Sequence, residues 1–546
     1  MGAYFFLAFS NVICYNIKKK LKVVSSIKLL DKEVDSRKIL VVIFLLGIFL
    51  RAIRLFYEPV GINQDEAYAG YEAWALLNYG IDSNGYSWPI YFTSWGSGMN
   101  VLYSYLSIPF IAIFGLNEFS VKIVQVLFAC LSIPLFYKVI SNFCSDTMSL
   151  LGTLIFAINP WHITMAQWGL ESNLAPFFLL ALTYYLMKYF EAQRIKYIIL
   201  AGLFGGLSLY TYAPLWLFVP THIILLFAYA LWTRQIKIRK EYFLFAAILF
   251  IFALPLILFL MVQYDIIPEG KILCFSIPKM YYFRNGEVGA FNKENFESFL
   301  MMLLKQNGYP GENATKTVGD YYLIFAPFII IGFLRCIKRL ILGIKRREFN
   351  FESLIGLWFL ISFALASNIS YINTNKANYI HIPIIIFSIT GIETILNKFP
   401  WLSKITAFAT ILAFFAFIVP FFDSDTQLHY SLTNDYSQVL DYTEKYIKEN
   451  DAKVYLDNAI SPIQYSHLFY HTKPAPTEVV EHLEKTWYGL GENYKNYHFA
   501  HNDIISFEDG AIYVYPKEWE GYITYNFSVE KIFETSSEYV IFKKIS

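Results

Sequence analysis

Apolar residues in this chain come in runs of similar length, each closed by charged or turn-forming residues. Eleven runs, at about 39–56, 121–141, 147–165, 174–190, 197–212, 214–232, 242–262, 319–337, 352–369, 378–396 and 403–422, approach the roughly 20 residues that a helix needs to cross a bilayer core. The pattern predicts a mostly α, polytopic membrane helical bundle. A twelfth run, "NVLYSYLSIPFIAIFG" at 100–115, is ambiguous, and its placement decides the sidedness of everything after it.

Basic residues arbitrate, because loops rich in Lys and Arg stay on the cytoplasmic side. If 1–38, with Lys18, Lys19, Lys20, Lys22, Arg37 and Lys38, is cytoplasmic and 100–115 does not cross, every basic loop falls inside. Those loops are 188–196, 234–240, 335–347 and the pair Lys398 and Lys404. The run 100–115 then reads as an interfacial or dipping helix, with Asn100, Ser104 and Ser107 as a polar stripe and Pro109 as a kink.

This assignment makes 57–120 an external loop with no Lys or Arg, acidic through Asp65, Glu66, Glu72, Asp82 and Glu118. A second external loop is 263–318. The expected organisation is a cytoplasmic segment 1–38, a membrane domain 39–422 and an extracytoplasmic tail 423–546. The tail alternates helix-like stretches ("YSQVLDYTEKYIKEN") with β-rich ones ("AKVYLD", "GAIYVYP", "EYVIFKK"), which predicts a small α/β domain. Residues 1–17 are apolar without a basic leader or a small-residue cleavage site, so a hydrophobic extension or an upstream start is expected there, not a cleaved signal peptide.

Composition agrees: 56% of residues are hydrophobic, 19% aromatic and only 16% charged, so a soluble globular mixture is excluded. The net charge of +1 says nothing about partners and gives no nucleic-acid signature. Five scattered cysteines form neither a disulfide framework nor a metal spacing.

Chemistry concentrates in a few strings. In "GINQDEAYAGYEAW" (61–74), Asp65 and Glu66 are adjacent, and Asn63 with Glu66 has the spacing of a capping box. Neighbouring helical residues point about 100° apart, so the two acids cannot share one job. Capping and catalysis both remain open for them. In "NPWHITMAQWGLESN" (159–173), Glu171 falls in the next external turn, where beginning a helix is the alternative to chemistry. Lys122, Arg284 and Lys376, the last in "NTNKAN" beside Asn375, are the basic groups near the outer face. They are candidates to meet an anionic head group, with snorkelling as the plainer account of each. His162, Tyr210 and Tyr212 are interfacial aromatic or polar tips that would also suit contact with a sugar or phosphate.

These strings, with "IPFIAIFGLNEFSVK" and "GLSLYTYAPL", resemble in order and sidedness the GT-C superfamily of integral-membrane glycosyltransferases, particularly its protein O-mannosyltransferase and aminoarabinose-transferase-like group. The resemblance covers most of 38–422. It implies transfer of a sugar from a polyprenyl-phosphate donor to a glycan, lipid or protein acceptor at the outer face of a plasma membrane, and the composition suggests a bacterial one. It maps the family's catalytic acid onto Asp65, with Glu66 beside it, and the second acid onto Glu171. Lys122 and Lys376 stand where relatives commonly carry Arg. Residues 94–100 lack the His or Lys that some relatives carry there, so a divalent metal is neither assigned nor excluded. The reaction implied is an inverting single displacement with Asp65 as base, Glu66 and Glu171 orienting hydroxyls, and the cations facing the departing phosphate. The alternatives are a multispan transporter or lipid flippase, against which stands the scarcity of ionisable residues within the spans, and a non-catalytic envelope scaffold.

Overall fold

The computed structural model describes residues 27–29, 32–57, 61–94, 98–283, 292–305, 315, 317–422, 434–457, 464–482, 493–501, 507–535 and 538–545. Arg284 and the apolar residues 1–17 lie outside them.

Helices dominate. In order they are α1 (Ser36–Ala52), α2 (Gln64–Tyr79), α3 (Leu102–Phe114), α4 (Glu118–Ile140), α5 (Asp146–Ala157), α6 (Pro160–Met165), α7 (Ala175–Ala192), α8 (Ile195–Ser208), α9 (Leu215–Trp232), α10 (Glu241–Gln263), α11 (Lys293–Lys305), α12 (Ala326–Arg346), α13 (Glu352–Ala366), α14 (His381–Lys398) and α15 (Leu402–Phe421). Among the described residues, five helical segments are long and apolar enough to cross a membrane: Glu118–Ile140, Leu215–Trp232, Glu241–Gln263, Asn378–Lys398 and Leu402–Phe421. Two of them, α10 and α15, bury little of their surface in the protein. Their large apolar side chains, among them Phe243, Ile251, Phe408 and Val419, are exposed. A continuous apolar surface of that kind suits lipid and not water.

Several predicted runs are interrupted, and the interruptions are local chemistry. The 147–165 run is two helices, because the Asn159 side chain caps the N–H of His162 and Pro160 opens α6. The 197–212 run stops at Ser208, where "LYTYAP" turns the chain into α9. The 319–337 run begins its α-helix only at Ala326, after a short 3₁₀ turn at Leu323–Phe325. The ambiguous run forms α3 over 13 residues. At 1.5 Å per residue that is about 20 Å, short of a roughly 30 Å bilayer core.

The first loop folds around α2. Small residues, Ala67, Ala69, Gly70, Ala73 and Ala75, let neighbours approach from several sides, and Gly80 closes the helix in the left-handed conformation with φ 71°. One side of α2 packs on α3, and a second receives the helix α17 (Gln464–Thr472) from the C-terminal part. A two-residue hairpin, β1 (Tyr91–Phe92) with β2 (Met99–Asn100), leads into α3.

After α16 (Asn434–Asn450) the chain builds a six-stranded sheet from β3 (Val454–Asp457), β4 (Asn493–Tyr494), β5 (Tyr497–His501), β6 (Ile512–Pro516), β7 (Val529–Glu534) and β8 (Tyr539–Lys544). The spatial order is β7-β8-β6-β3-β5-β4. The pairs β6 with β3 and β3 with β5 are parallel, and the others are antiparallel. The three β-rich strings of the sequence are β3, β6 and β8 at its centre. Its apolar face, with Val454, Leu456, Val514 and Ile541, shares one core with Leu468 and Phe469 of α17 and with Tyr71 and Ala75 of α2. Tyr71 also donates its hydroxyl to the Pro474 carbonyl at 2.9 Å.

Candidate active site

The site begins at the N-terminus of α2. Asn63 is extended (φ −81°, ψ 172°), and its side chain accepts the Glu66 N–H at 2.9 Å. Glu66 Oε2 in turn accepts the Asn63 N–H at 3.0 Å. The capping box read from the sequence is therefore formed. Asp65, one residue earlier, is half-buried in the same first turn, where the helix dipole favours a carboxylate.

Glu66 does more than cap. It is fully buried, and Lys122 from α4 reaches both of its oxygens at 3.0 Å. Gly169 adds its backbone N–H to Oε1. The third ammonium proton of Lys122 goes to the Gln167 carbonyl at 3.0 Å. Here the geometry departs from the sequence reading of both residues. Glu66 has no oxygen left to orient a substrate hydroxyl, because main-chain and lysine donors engage them both. Lys122 does not face a departing phosphate, because its three protons are spent on Glu66 and Gln167. The pair is a strut that ties α2, α4 and the 167–169 turn together.

Gly169 is required at that turn by space. A β-carbon there would sit 2.5 Å from the Tyr103 hydroxyl and 3.0 Å from Glu66 Oε1. The tyrosine is itself fixed, donating to the Val121 carbonyl at 2.8 Å.

Glu171 follows two residues later, half-buried, at the start of a 3₁₀ turn, Glu171–Leu174. Its Oε2 accepts the backbone N–H of Asn100 at the end of the β1–β2 hairpin. Two residues beyond Asn100, the Leu102 N–H donates to the Tyr210 carbonyl at 3.3 Å. The junction of hairpin and α3 thus lies between the turn bearing Glu171 and the "LYTYAP" turn. The Tyr210 hydroxyl donates to Phe252 O at 2.7 Å and so braces α10, while Tyr212 is half-buried.

The late "NTNKAN" turn joins through asparagines. Asn378 accepts from Trp161 Nε1 at 3.0 Å and donates to Asn173 Oδ1 at 2.5 Å. Asn173 donates to the Met165 and Trp168 carbonyls. The turn carrying Lys376 is therefore fastened to the one carrying Glu171. Within it, Asn373 Oδ1 accepts the Lys376 N–H at 2.8 Å, half-buried Lys376 reaches the Ser370 carbonyl at 3.4 Å, and Asn375 is buried. His162 is not an interfacial tip. It is fully buried, and its Nδ1 accepts from Arg51 Nε at 3.1 Å, because the guanidinium at the end of α1 needs an acceptor inside the bundle.

A second acidic pair in the first loop escaped the sequence reading, which took Glu72 and Asp82 only as loop charge. Both are fully buried. Glu72 accepts from the Ser83 hydroxyl and from the Ser83 N–H at 2.9 Å, and Asp82 Oδ1 accepts the N–H groups of Asn84 and Tyr86 at 3.0 and 2.7 Å. Burial holds the Glu72 carboxyl up at about 7 and pushes Asp82 well above the usual carboxylate range, helped by the charge of Glu72. Among the described residues, no three His, Cys, Asp or Glu side chains gather as a metal-holding set.

Residues 99–259 match the dolichyl-phosphate-mannose-protein mannosyltransferase family. No curated protein matches the chain in sequence. Among solved structures, the chain is similar to ArnT from Cupriavidus metallidurans bound to undecaprenyl phosphate, with a TM-score of 0.52 and 10% identity over 92% of this chain and 97% of that one. It is also similar to the Archaeoglobus fulgidus oligosaccharyltransferase in the apo form, with a TM-score of 0.50 and 14% identity over 81% of this chain. The chain spans 64% of the length of that oligosaccharyltransferase. At these identities the structural likeness is one of fold.

Proposed function

We propose that the chain is a GT-C glycosyltransferase that transfers a sugar from a polyprenyl-phosphate donor to an acceptor hydroxyl at the outer face of the membrane, a reading supported by the family match over residues 99–259 and by the fold it shares with solved structures. ArnT of similar fold was solved with undecaprenyl phosphate bound, which supports a lipid-linked donor. The basic loops on one side and the Lys- and Arg-free loop 57–120 on the other support an organisation of about eleven spans, with the active site and a C-terminal α/β domain both external.

The observation that carries the reading is the division between the two adjacent acids. Glu66 is sealed into a buried ion pair, while Asp65, in the same helical turn, is half-buried. Asp65 takes the proton of the acceptor hydroxyl as that oxygen bonds to the anomeric carbon. The bond from that carbon to the phosphate oxygen breaks on the opposite face, and polyprenyl phosphate leaves with the electron pair, giving inversion. A base that acts this way sits within hydrogen-bonding reach of the hydroxyl it serves. Glu171 orients the sugar from the neighbouring turn, and Lys376 offers positive charge for the departing phosphate.

The test is Asp65→Asn, measured as transfer from a radiolabelled polyprenyl-phosphate sugar in reconstituted vesicles. Transfer falls to background while insertion and thermal unfolding match the wild type. Turnover within a few-fold of wild type would remove Asp65 from the mechanism.

A further inference from the structure

Asn100 holds an unusual position. Its backbone N–H is taken by Glu171, yet its side-chain amide, fully buried, neither donates nor accepts a hydrogen bond. Buried amides are nearly always paired, since an unpaired one gives up its hydration for nothing. Both halves of this amide are unpaired at once, beside a carboxylate of the site. Two more buried polar atoms without partners lie on the flanking elements: Ser104 Oγ, one turn into α3, and Trp168 Nε1, in the turn that leads to Glu171.

The chemistry of these groups is selective. An amide presents a donor and an acceptor side by side, a hydroxyl can do either, and an indole donates. None carries charge, and the buried cation nearest in the network, Lys122, has no proton to spare. The set suits neutral hydroxyls and is poorly matched to a phosphate or a carboxylate. Depth separates donor from acceptor: Asp65 and Glu171 are half-buried, whereas Asn100, Ser104 and Trp168 are closed off.

We propose that Asn100 is a sugar-recognition residue, its amide oxygen accepting from one hydroxyl of a neutral donor sugar and its amide nitrogen donating to the adjacent one, with Glu171 on the same ring. This rests on the glycosyl-transfer reading above and adds the class of sugar to it.

The experiment measures binding, so that it stands apart from turnover. Undecaprenyl phosphate and undecaprenyl-phosphate mannose, glucose and galactose are titrated against the full-length protein in detergent, as wild type, Asn100→Leu and Asn100→Asp. The wild type binds at least one hexose-bearing lipid about tenfold or more tightly than the bare lipid, and Asn100→Leu loses that advantage while binding the bare lipid unchanged. Asn100→Asp, which keeps the acceptor and drops the donor, falls between them and serves alone if the leucine variant does not bind the bare lipid. If hexose adds nothing in the wild type, or its advantage survives both substitutions, the subsite is overturned and the transferase reading stands. If the wild type binds none of the four lipids, the transferase reading itself fails.

Discussion

The strut between Glu66 and Lys122 predicts a large and asymmetric response to mutation. Lys122→Met removes a buried ammonium that donates three hydrogen bonds of 3.0 Å, two of them to one carboxylate that has no contact with solvent. The carboxylate left behind keeps only the N–H groups of Asn63 and Gly169. Stranding one member of a buried pair costs about 3–5 kcal/mol, whereas replacing both by neutral groups of similar volume is often tolerated. Lys122→Met is therefore expected to lose about 3–5 kcal/mol against unfolding, and Glu66→Gln combined with Lys122→Met to recover at least half of it. Equilibrium unfolding in mixed micelles, followed by helical circular dichroism, reads both. Transfer activity follows the same order, because the strut holds the turn that leads to Glu171 against the helix that carries Asp65. The reasoning is refuted if the single variant lies within about 1 kcal/mol of wild type, or if the double variant is no more stable than the single one.

Two further outcomes follow from the geometry. The Glu72 carboxyl is held near 7, above its ordinary value of 4.5, so the folded protein binds a proton there more tightly than the unfolded chain does. Its contribution to stability is complete below about pH 4.5 and is lost as pH rises through about 7; Glu72→Gln flattens the fall in thermal stability between pH 5 and 8, and an unchanged slope would count against the buried pair. Gly169→Ala forces a β-carbon against the Tyr103 hydroxyl and Glu66, and overpacking of this kind costs about 1–3 kcal/mol; it lowers both the unfolding midpoint and the transfer rate, and a wild-type rate would show that the turn has room to yield.

What the sequence made legible was mostly short-range. The box of Asn63 and Glu66 spans three residues and could be read directly. The three central strands β3, β6 and β8 followed from local alternation, whereas the run that forms α3 was ambiguous by itself and was read as non-crossing only from the charge of the loops around it. The pairing of Glu66 with Lys122 could not be read, because 56 residues separate them and periodicity gives the face of a helix without naming what meets it. Lys122 therefore looked like a free cation at a helix start. Glu72 and Asp82 looked like solvated loop charge for a related reason: a loop without Lys or Arg reads as exposed, and only the packing of α2 between α3 and α17 puts its acids inside. His162 was misread because its acceptor role depends on Arg51, 111 residues earlier. Gly169 left a faint trace, a glycine between a tryptophan and an acidic turn.

The docking of α17 on α2 has a consequence for how the molecule comes into being. Tyr71 and its partner carbonyl at Pro474 are 403 residues apart, and ribosomes add roughly 5 to 20 residues per second. The helix bearing Asp65 therefore waits on the order of 20 to 80 seconds after synthesis before the segment that completes its packing exists. During that interval its Tyr71 and Ala75 face is uncovered. Until the chain has passed Pro474, the first loop thus carries Asp65 on a helix with one wall of its support unmade, and its final packing depends on a segment made hundreds of residues later.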